Sequence, residues 1–158
     1  MRFDDEGYLQ DYSSGRFPKI HDGLFHLIQN RISGCSCLDL CGNSGLLGQR
    51  IIDEMEVPCI LIDASKAALD LAEKYGTSIA KYHLFISADT YPDIASLISK
   101  HKVDVLVARR CISELFKSVE DPDRHLWSAM LADSGVREVF FAGPGKNQKG
   151  DTPSALSG

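Results

Sequence analysis

Five short stretches of the chain are apolar at consecutive positions rather than at alternate ones: Cys35 to Leu40, Cys59 to Asp63, His83 to Ser87, Val103 to Ala108 and Arg137 to Ala142. Runs of this kind predict strands buried on both faces, as in a parallel sheet covered by helices. Between them the apolar spacing changes to three and four. Ile20, Leu24, Leu27, Ile28 and Ile32 form one helical stripe, Leu47, Ile51 and Met55 a second, and Ala68, Leu71, Ala72 and Tyr75 a third.

The breakers agree with these periods. Ser65 suits the N-cap of the third helix and Gly76 its end, and Pro92 suits the first turn of a helix holding Ile94, Leu97 and Ile98. Asp121-Pro122 opens another in the same way, with Leu126, Trp127, Met130 and Leu131 facing the core. Helix, then strand and helix in alternation, predicts an α/β fold: a three-layer, doubly wound, mainly parallel five-stranded sheet with right-handed crossovers, Rossmann-like. Residues 20–144 carry that domain, 1–19 form a polar N-terminal segment, and 145–158, polar and rich in breakers, read as a flexible tail.

With 158 residues, 44% of them hydrophobic, the chain holds enough apolar surface for one core. No apolar run reaches the roughly 18 residues a membrane span needs, and Met1-Arg2-Phe3-Asp4-Asp5-Glu6 is too acidic for a secretory signal, so a cytoplasmic protein is expected. The five cysteines then read as reduced. A net charge of -5 argues against general nucleic-acid binding, which needs clustered Lys and Arg.

In open parallel sheets a ligand sits beyond the carboxyl ends of the strands, where strand order reverses. The loop there reads Asp39-Leu40-Cys41-Gly42-Asn43-Ser44-Gly45, with a helix starting near Gly45. Glycines permit close backbone approach, and Asn43 is the non-glycine type that best tolerates a left-handed conformation. Asp63 ends the second strand 21 residues after Gly42, where nucleoside-binding sheets place a carboxylate that accepts ribose hydroxyls. Asn43-x-Gly45-x-x-Gly48 is a degraded dinucleotide fingerprint, which keeps an NAD-type oxidoreductase in view. Asp39, beside the loop, would repel a pyrophosphate and attract a sulfonium or ammonium, so the charge favours a cationic adenosine derivative.

At these residues the chain resembles class I S-adenosylmethionine-dependent methyltransferases, whose first motif typically reads Leu-Asp-Leu-Gly-Cys-Gly-Thr-Gly where Leu38-Asp39-Leu40-Cys41-Gly42-Asn43-Ser44-Gly45 stands here. Cys41 and Asn43 replace two of the family's glycines. The resemblance spans about Ile20 to Pro144 and implies strand order 3-2-1-4-5, S-adenosylmethionine as cofactor, and methyl transfer as activity. It also implies that Asp39 and the loop hold the methionine end, that Asp63 and the adjoining Ala64 lie at the ribose, and that Ala88-Asp89 meet the adenine. The family's sheet continues to a sixth and an antiparallel seventh strand. With 14 residues after Pro144, this sheet is expected to stop at five, leaving an edge that a cover or a second copy of the chain would protect. A non-catalytic module that binds S-adenosylmethionine or a partner is the alternative.

The acceptor, small or macromolecular, is not identified by sequence. The segment after the fourth strand, Ala108-Arg109-Arg110-Cys111-Ile112-Ser113-Glu114, lacks the Asn-Pro-Pro-Tyr type of motif that marks amino methylation of adenine or of protein glutamine, and the Pro-Cys pair of cytosine-C5 enzymes. Arg109 and Arg110 suit an acidic acceptor, with pairing of one of them to Glu114 as the plainer reading. Asp89 equally suits a helix cap near Pro92. Cys35, Cys37 and Cys41 lie along one strand without a CxxC pair, so no metal site is expected, and nothing in the sequence activates Cys111 as a nucleophile. Tyr8, Tyr12, residues 13–19 and His21 precede the first helix and suit a lid folded over the cofactor, with surface packing of the aromatics as the equal alternative.

Overall fold

The structure, a computed structural model, describes residues 9, 17–74, 78–109, 122–143 and 154–157. Its elements are α1 (Phe17–Arg31), β1 (Cys37–Leu40), α2 (Leu46–Met55), β2 (Cys59–Asp63), α3 (Lys66–Lys74), β3 (Ala80–His83), a single 3-10 turn (Ala88–Thr90), α4 (Tyr91–Lys100), β4 (Val105–Arg109), α5 (Pro122–Asp133), β5 (Glu138–Gly143) and β6 (Ser154–Ser157). The sheet runs β3-β2-β1-β4-β5-β6. Its first five strands are parallel, in the expected order, and β6 pairs antiparallel with β5. Among the described residues no helix is long and apolar enough to cross a membrane.

The consecutive apolar runs come from burial on both faces. Cys37, Cys59, Leu61, Val105 and Val107 point to a core shared with Leu24, Phe25 and Ile28 of α1 and Leu47 and Ile51 of α2. Leu38, Leu40, Ile60, Ile62, Leu106 and Ala108 point to the opposite core, closed by Ile94 and Ile98 of α4 and Trp127 and Leu131 of α5. Each fully buried aliphatic side chain contributes about 1.5–3 kcal/mol, so the two layers hold the switch point between β1 and β4 from both sides. Away from the ligand end, Asp104 accepts the Cys35 and Ser36 amides and pairs with Arg137. Burial opposes its ionisation, but those amides and the guanidinium outweigh it and hold the carboxyl below its ordinary range.

Three expectations are corrected. The third strand is Ala80–His83 rather than His83 to Ser87. It is an outer strand, exposed at Ala80 and His83 and only half-buried at Lys81 and Tyr82, so it has no need of an apolar run; its register is set by Ile60 pairing with Ala80 and Asp63 with His83. The apolar Leu84-Phe85-Ile86 instead leaves the sheet, with Phe85 72% exposed. On α5, Leu126 is 55% exposed and the inward face is Trp127 and Leu131, with Met130 at its margin. The sheet does not stop at five strands, and the tail is not wholly without structure: Ser154–Ser157 occupies the outer edge of β5, pairing Phe140 with Ser157 and Gly143 with Ser154. That edge offers a row of unmatched backbone groups, and pairing satisfies them.

Candidate functional site

The site is built at the carboxyl ends of β1 and β2. Leaving β1, the chain adopts left-handed conformations at Cys41 (φ 54), Asn43 (φ 55) and Gly45 (φ 77), and between them turns through a Gly45 N–H bond to the Gly42 carbonyl of 2.9 Å. Helix α2 then starts at Leu46, as the glycine there predicted. Gly42 is required by space: a Cβ at that position would lie 2.4 Å from Cγ and Oδ2 of Asp39 and 2.5 Å from Leu61 Cδ1.

Two buried carboxylates organise this loop. Asp39, 2% exposed, accepts the Gly48 amide of α2 at 3.0 Å. Burial pushes its pKa up to about 7, with the Gly48 hydrogen bond opposing and Asp63 adding to the rise. Asp63, 7% exposed, accepts the Asn43 amide on Oδ2 at 2.7 Å and the Ser65 amide on Oδ1 at 2.8 Å. Its carboxyl is also raised, by burial, against the pull of its backbone donors. Ser65 in turn caps α3, its hydroxyl accepting the Ala68 amide, as expected. The loop is thus tied to Asp63 through Asn43, and the first turn of the helix after it to Asp39 through Gly48. Gly42, Asn43, Ser44 and Gly45 are buried, and Cys41 is half-buried.

The remaining candidates are spread around this centre. Ala64 is exposed, and its carbonyl accepts His83 Nε2 at 3.0 Å. Ala88 and Asp89 lie in the 3-10 turn beyond β3, Ala88 half-buried and Asp89 exposed. Capping at that turn is done by Ser87 and Thr90, whose hydroxyl accepts the Ser87 amide at 2.9 Å, and not by Asp89. Arg109 ends β4 one position past the Leu40–Ala108 pair and is 7% exposed, which puts a buried guanidinium at the switch point. Arg110, Cys111 and Glu114 lie outside the described residues, as does the N-terminal segment before Phe17 apart from Leu9. Of the cysteines, Cys37 and Cys59 are buried and Cys35 is exposed.

His21, read from sequence as part of a segment before the first helix, lies instead within α1 and belongs to this end of the sheet. It is 3% exposed, and burial, then the Arg109 charge, lowers its pKa to about 3, so the imidazole is neutral at working pH. Helix α1 is anchored there by Arg50 of α2, which bonds Asp22 and Glu54 and lies 4.0 Å over the Phe25 ring. No sequence signal marks His21, because its place depends on how α1 crosses the sheet.

No protein-family model and no curated protein sequence matches the chain. Solved structures do. The chain is similar to a protein of Methanococcus maripaludis assigned as an S-adenosyl-L-methionine-dependent methyltransferase, with TM-score 0.61 and 15% identity over 94% of this chain and 68% of that one. A SAM-dependent methyltransferase from Archaeoglobus fulgidus aligns with TM-score 0.62 and 16% identity over 90% of this chain and 60% of its own. The plantazolicin methyltransferase BpumL, solved with SAH, aligns with TM-score 0.57 and 18% identity over 89% and 55%. At these identities the likeness establishes the fold alone: a Rossmann-like sheet, parallel and in the order β3-β2-β1-β4-β5 through its fifth strand.

Proposed function

We propose that the chain binds S-adenosylmethionine at the carboxyl ends of β1 and β2 and transfers its methyl group to an acceptor. The observation that carries this reading is the pair of buried carboxylates, Asp39 and Asp63, that flank the loop a ligand must meet, Asp63 bonded to the Asn43 amide in it and Asp39 to the Gly48 amide in the helix turn that follows it. A cradle holding two acids and no described cation inside the loop suits a sulfonium and repels a pyrophosphate. The fold likeness supports the same choice.

The residues present fit such a cofactor: Asn43, beside Asp63, keeps a buried amide oxygen without a hydrogen-bond partner among the described residues. Asp39 and the amides of the loop would hold the amino-acid end, Asp63 the ribose hydroxyls, and Ala88-Asp89 the adenine. When bound, the cofactor supplies an electrophilic methyl on sulfur, and the displacement needs alignment more than covalent help. On the acceptor side, Arg109 brings positive charge to the switch point and His21 a neutral imidazole, so an acceptor bearing a carboxylate or phosphate is the class these two would hold.

Calorimetric titration with S-adenosylmethionine, S-adenosylhomocysteine and NAD is expected to give binding to both sulfur ligands and none to NAD; heat from NAD alone would replace this reading with an oxidoreductase. Replacing Asp63 by Ala removes a doubly bonded loop anchor as well as the ribose acceptor. It is expected to weaken S-adenosylhomocysteine by about 10- to 100-fold, from hydrogen bonds to a charged acceptor worth about 1.5–3 kcal/mol. An unchanged affinity would place the ribose elsewhere.

A further inference from the structure

Asn43 stands where the resembling family carries glycine, and two features of it go beyond what a loop turn requires. Its side chain is almost wholly buried, at 3% exposure, yet its Oδ1 has no hydrogen-bond partner among the described residues. Its backbone is left-handed at φ 55, a conformation glycine would adopt without a Cβ penalty. Both features cost stability in the ligand-free chain, since a buried acceptor left unmatched loses its water without replacement.

The neighbour of Asn43 indicates what the missing donor is. The Asn43 amide bonds Asp63 Oδ2 at 2.7 Å, which fixes this residue alongside the Asp63 carboxylate. That carboxylate accepts the Asn43 amide on Oδ2 and the Ser65 amide on Oδ1, and the Ala64 amide is a third donor to it, so of its about four acceptor positions one is left. A carboxylate with a spare acceptor position beside an unmatched amide oxygen calls for donors. The complementary group carries two hydroxyl donors on adjacent carbons.

Resting on the cofactor reading above, we propose that Asn43 is a specificity residue for the vicinal diol of the bound nucleoside: its Oδ1 accepts one ribose hydroxyl while Asp63 accepts the other. A glycine at this position would hold the same loop and lack that contact.

The test pairs a change in the protein with a change in the ligand. Affinities of S-adenosylhomocysteine and its 2′-deoxy and 3′-deoxy analogues are measured by calorimetry on the wild type, Asn43→Gly and Asn43→Asp, with thermal melts of each ligand-free protein. Asn43→Gly is expected to melt no lower than the wild type, because it removes both the left-handed Cβ and the unmatched acceptor. It is expected to bind S-adenosylhomocysteine about 10-fold more weakly, yet to bind one of the two deoxy analogues within about 2-fold of the wild type. Asn43→Asp, which still accepts, should keep the hydroxyl preference. Wild-type binding with an unaltered Asn43→Gly affinity overturns this inference alone, as does an equal loss for both deoxy analogues, which would make Asn43 a prop for the loop. A wild type that binds no adenosyl ligand overturns the cofactor reading and this inference together.

Discussion

Gly42→Ala is expected to lower the melting temperature of the ligand-free protein by roughly 6–12 °C and to remove measurable adenosyl binding. The methyl carbon would sit 2.4 Å from the Asp39 carboxylate and 2.5 Å from Leu61 Cδ1, well inside contact distance. Neither neighbour can withdraw cheaply. The Asp39 carboxylate is buried and holds the first turn of α2 through Gly48, while Leu61 is fully buried in the middle of β2. Overpacking of this kind costs about 1–3 kcal/mol, and displacing Asp39 from Gly48 adds the loss of a charge-assisted hydrogen bond. For a domain of this size about 3 kcal/mol corresponds to that melting shift. Gly45→Ala is the internal comparison: its added carbon would meet Leu61 Cδ2 at 3.0 Å and Ile79 Cγ2 at 3.3 Å, so the cost there is chiefly the left-handed backbone, about 1–2 kcal/mol. Thermal denaturation of both variants would check the ranking, and a Gly42→Ala protein melting with the wild type would mean that Asp39 is not held where the structure puts it.

What the sequence made legible follows from which forces are local. β2 is found at its expected bounds because it is buried on both faces, and a run of Cys, Ile and Leu closed by Asp63 admits no other period. Asp39 and Asp63 were legible for the same reason: a carboxylate at the end of an apolar run has to lie where the run reaches the sheet's end. β3 was misplaced because burial is the only signal a strand without turn residues offers, and an outer strand such as Ala80–His83 is not fully buried. Leu126 misled because it sits beside Trp127, and only the helical angle separates an exposed neighbour from a buried one. The antiparallel β6 is a tertiary feature, four residues whose pairing depends on the free edge of β5. The same holds for His21, brought to Arg109 by the packing of α1 across the sheet. The unmatched Oδ1 of Asn43 has no counterpart in sequence, since a pattern of residue types does not record which acceptors find donors.

Asp39→Asn is expected to separate stability from binding, and pH is the lever. In the fold Asp39 gives up its proton near pH 7, whereas the ordinary carboxyl does so near 3.8. A folded pKa above the unfolded one means stability that is fully present below about pH 4 and is lost as pH rises towards 7, on the order of 4 kcal/mol in all. Asp63, raised in the same direction by burial, adds to that slope. His21 acts oppositely: with its pKa lowered to about 3, its contribution is present above 6.5 and lost as pH falls. Between pH 4 and 6.5 the two largely cancel in the wild type. Asn at position 39 still accepts the Gly48 amide and carries no charge to bury, so the variant should match the wild type near pH 4 and melt higher at pH 8. Its S-adenosylmethionine affinity should fall all the same, because a sulfonium favours the ionised carboxylate. For the wild type that preference makes binding tighten as pH rises to about 7 and level off beyond it. The sulfonium is absent from S-adenosylhomocysteine, so the ratio of the two affinities should climb with pH in the wild type and stay flat in Asp39→Asn. Melts and titrations across pH 5 to 9 read both effects, and an Asp39→Asn protein that is less stable than the wild type at pH 8 would show that the charged Asp39 is stabilised by its partners in the unliganded fold and that burial does not raise its pKa.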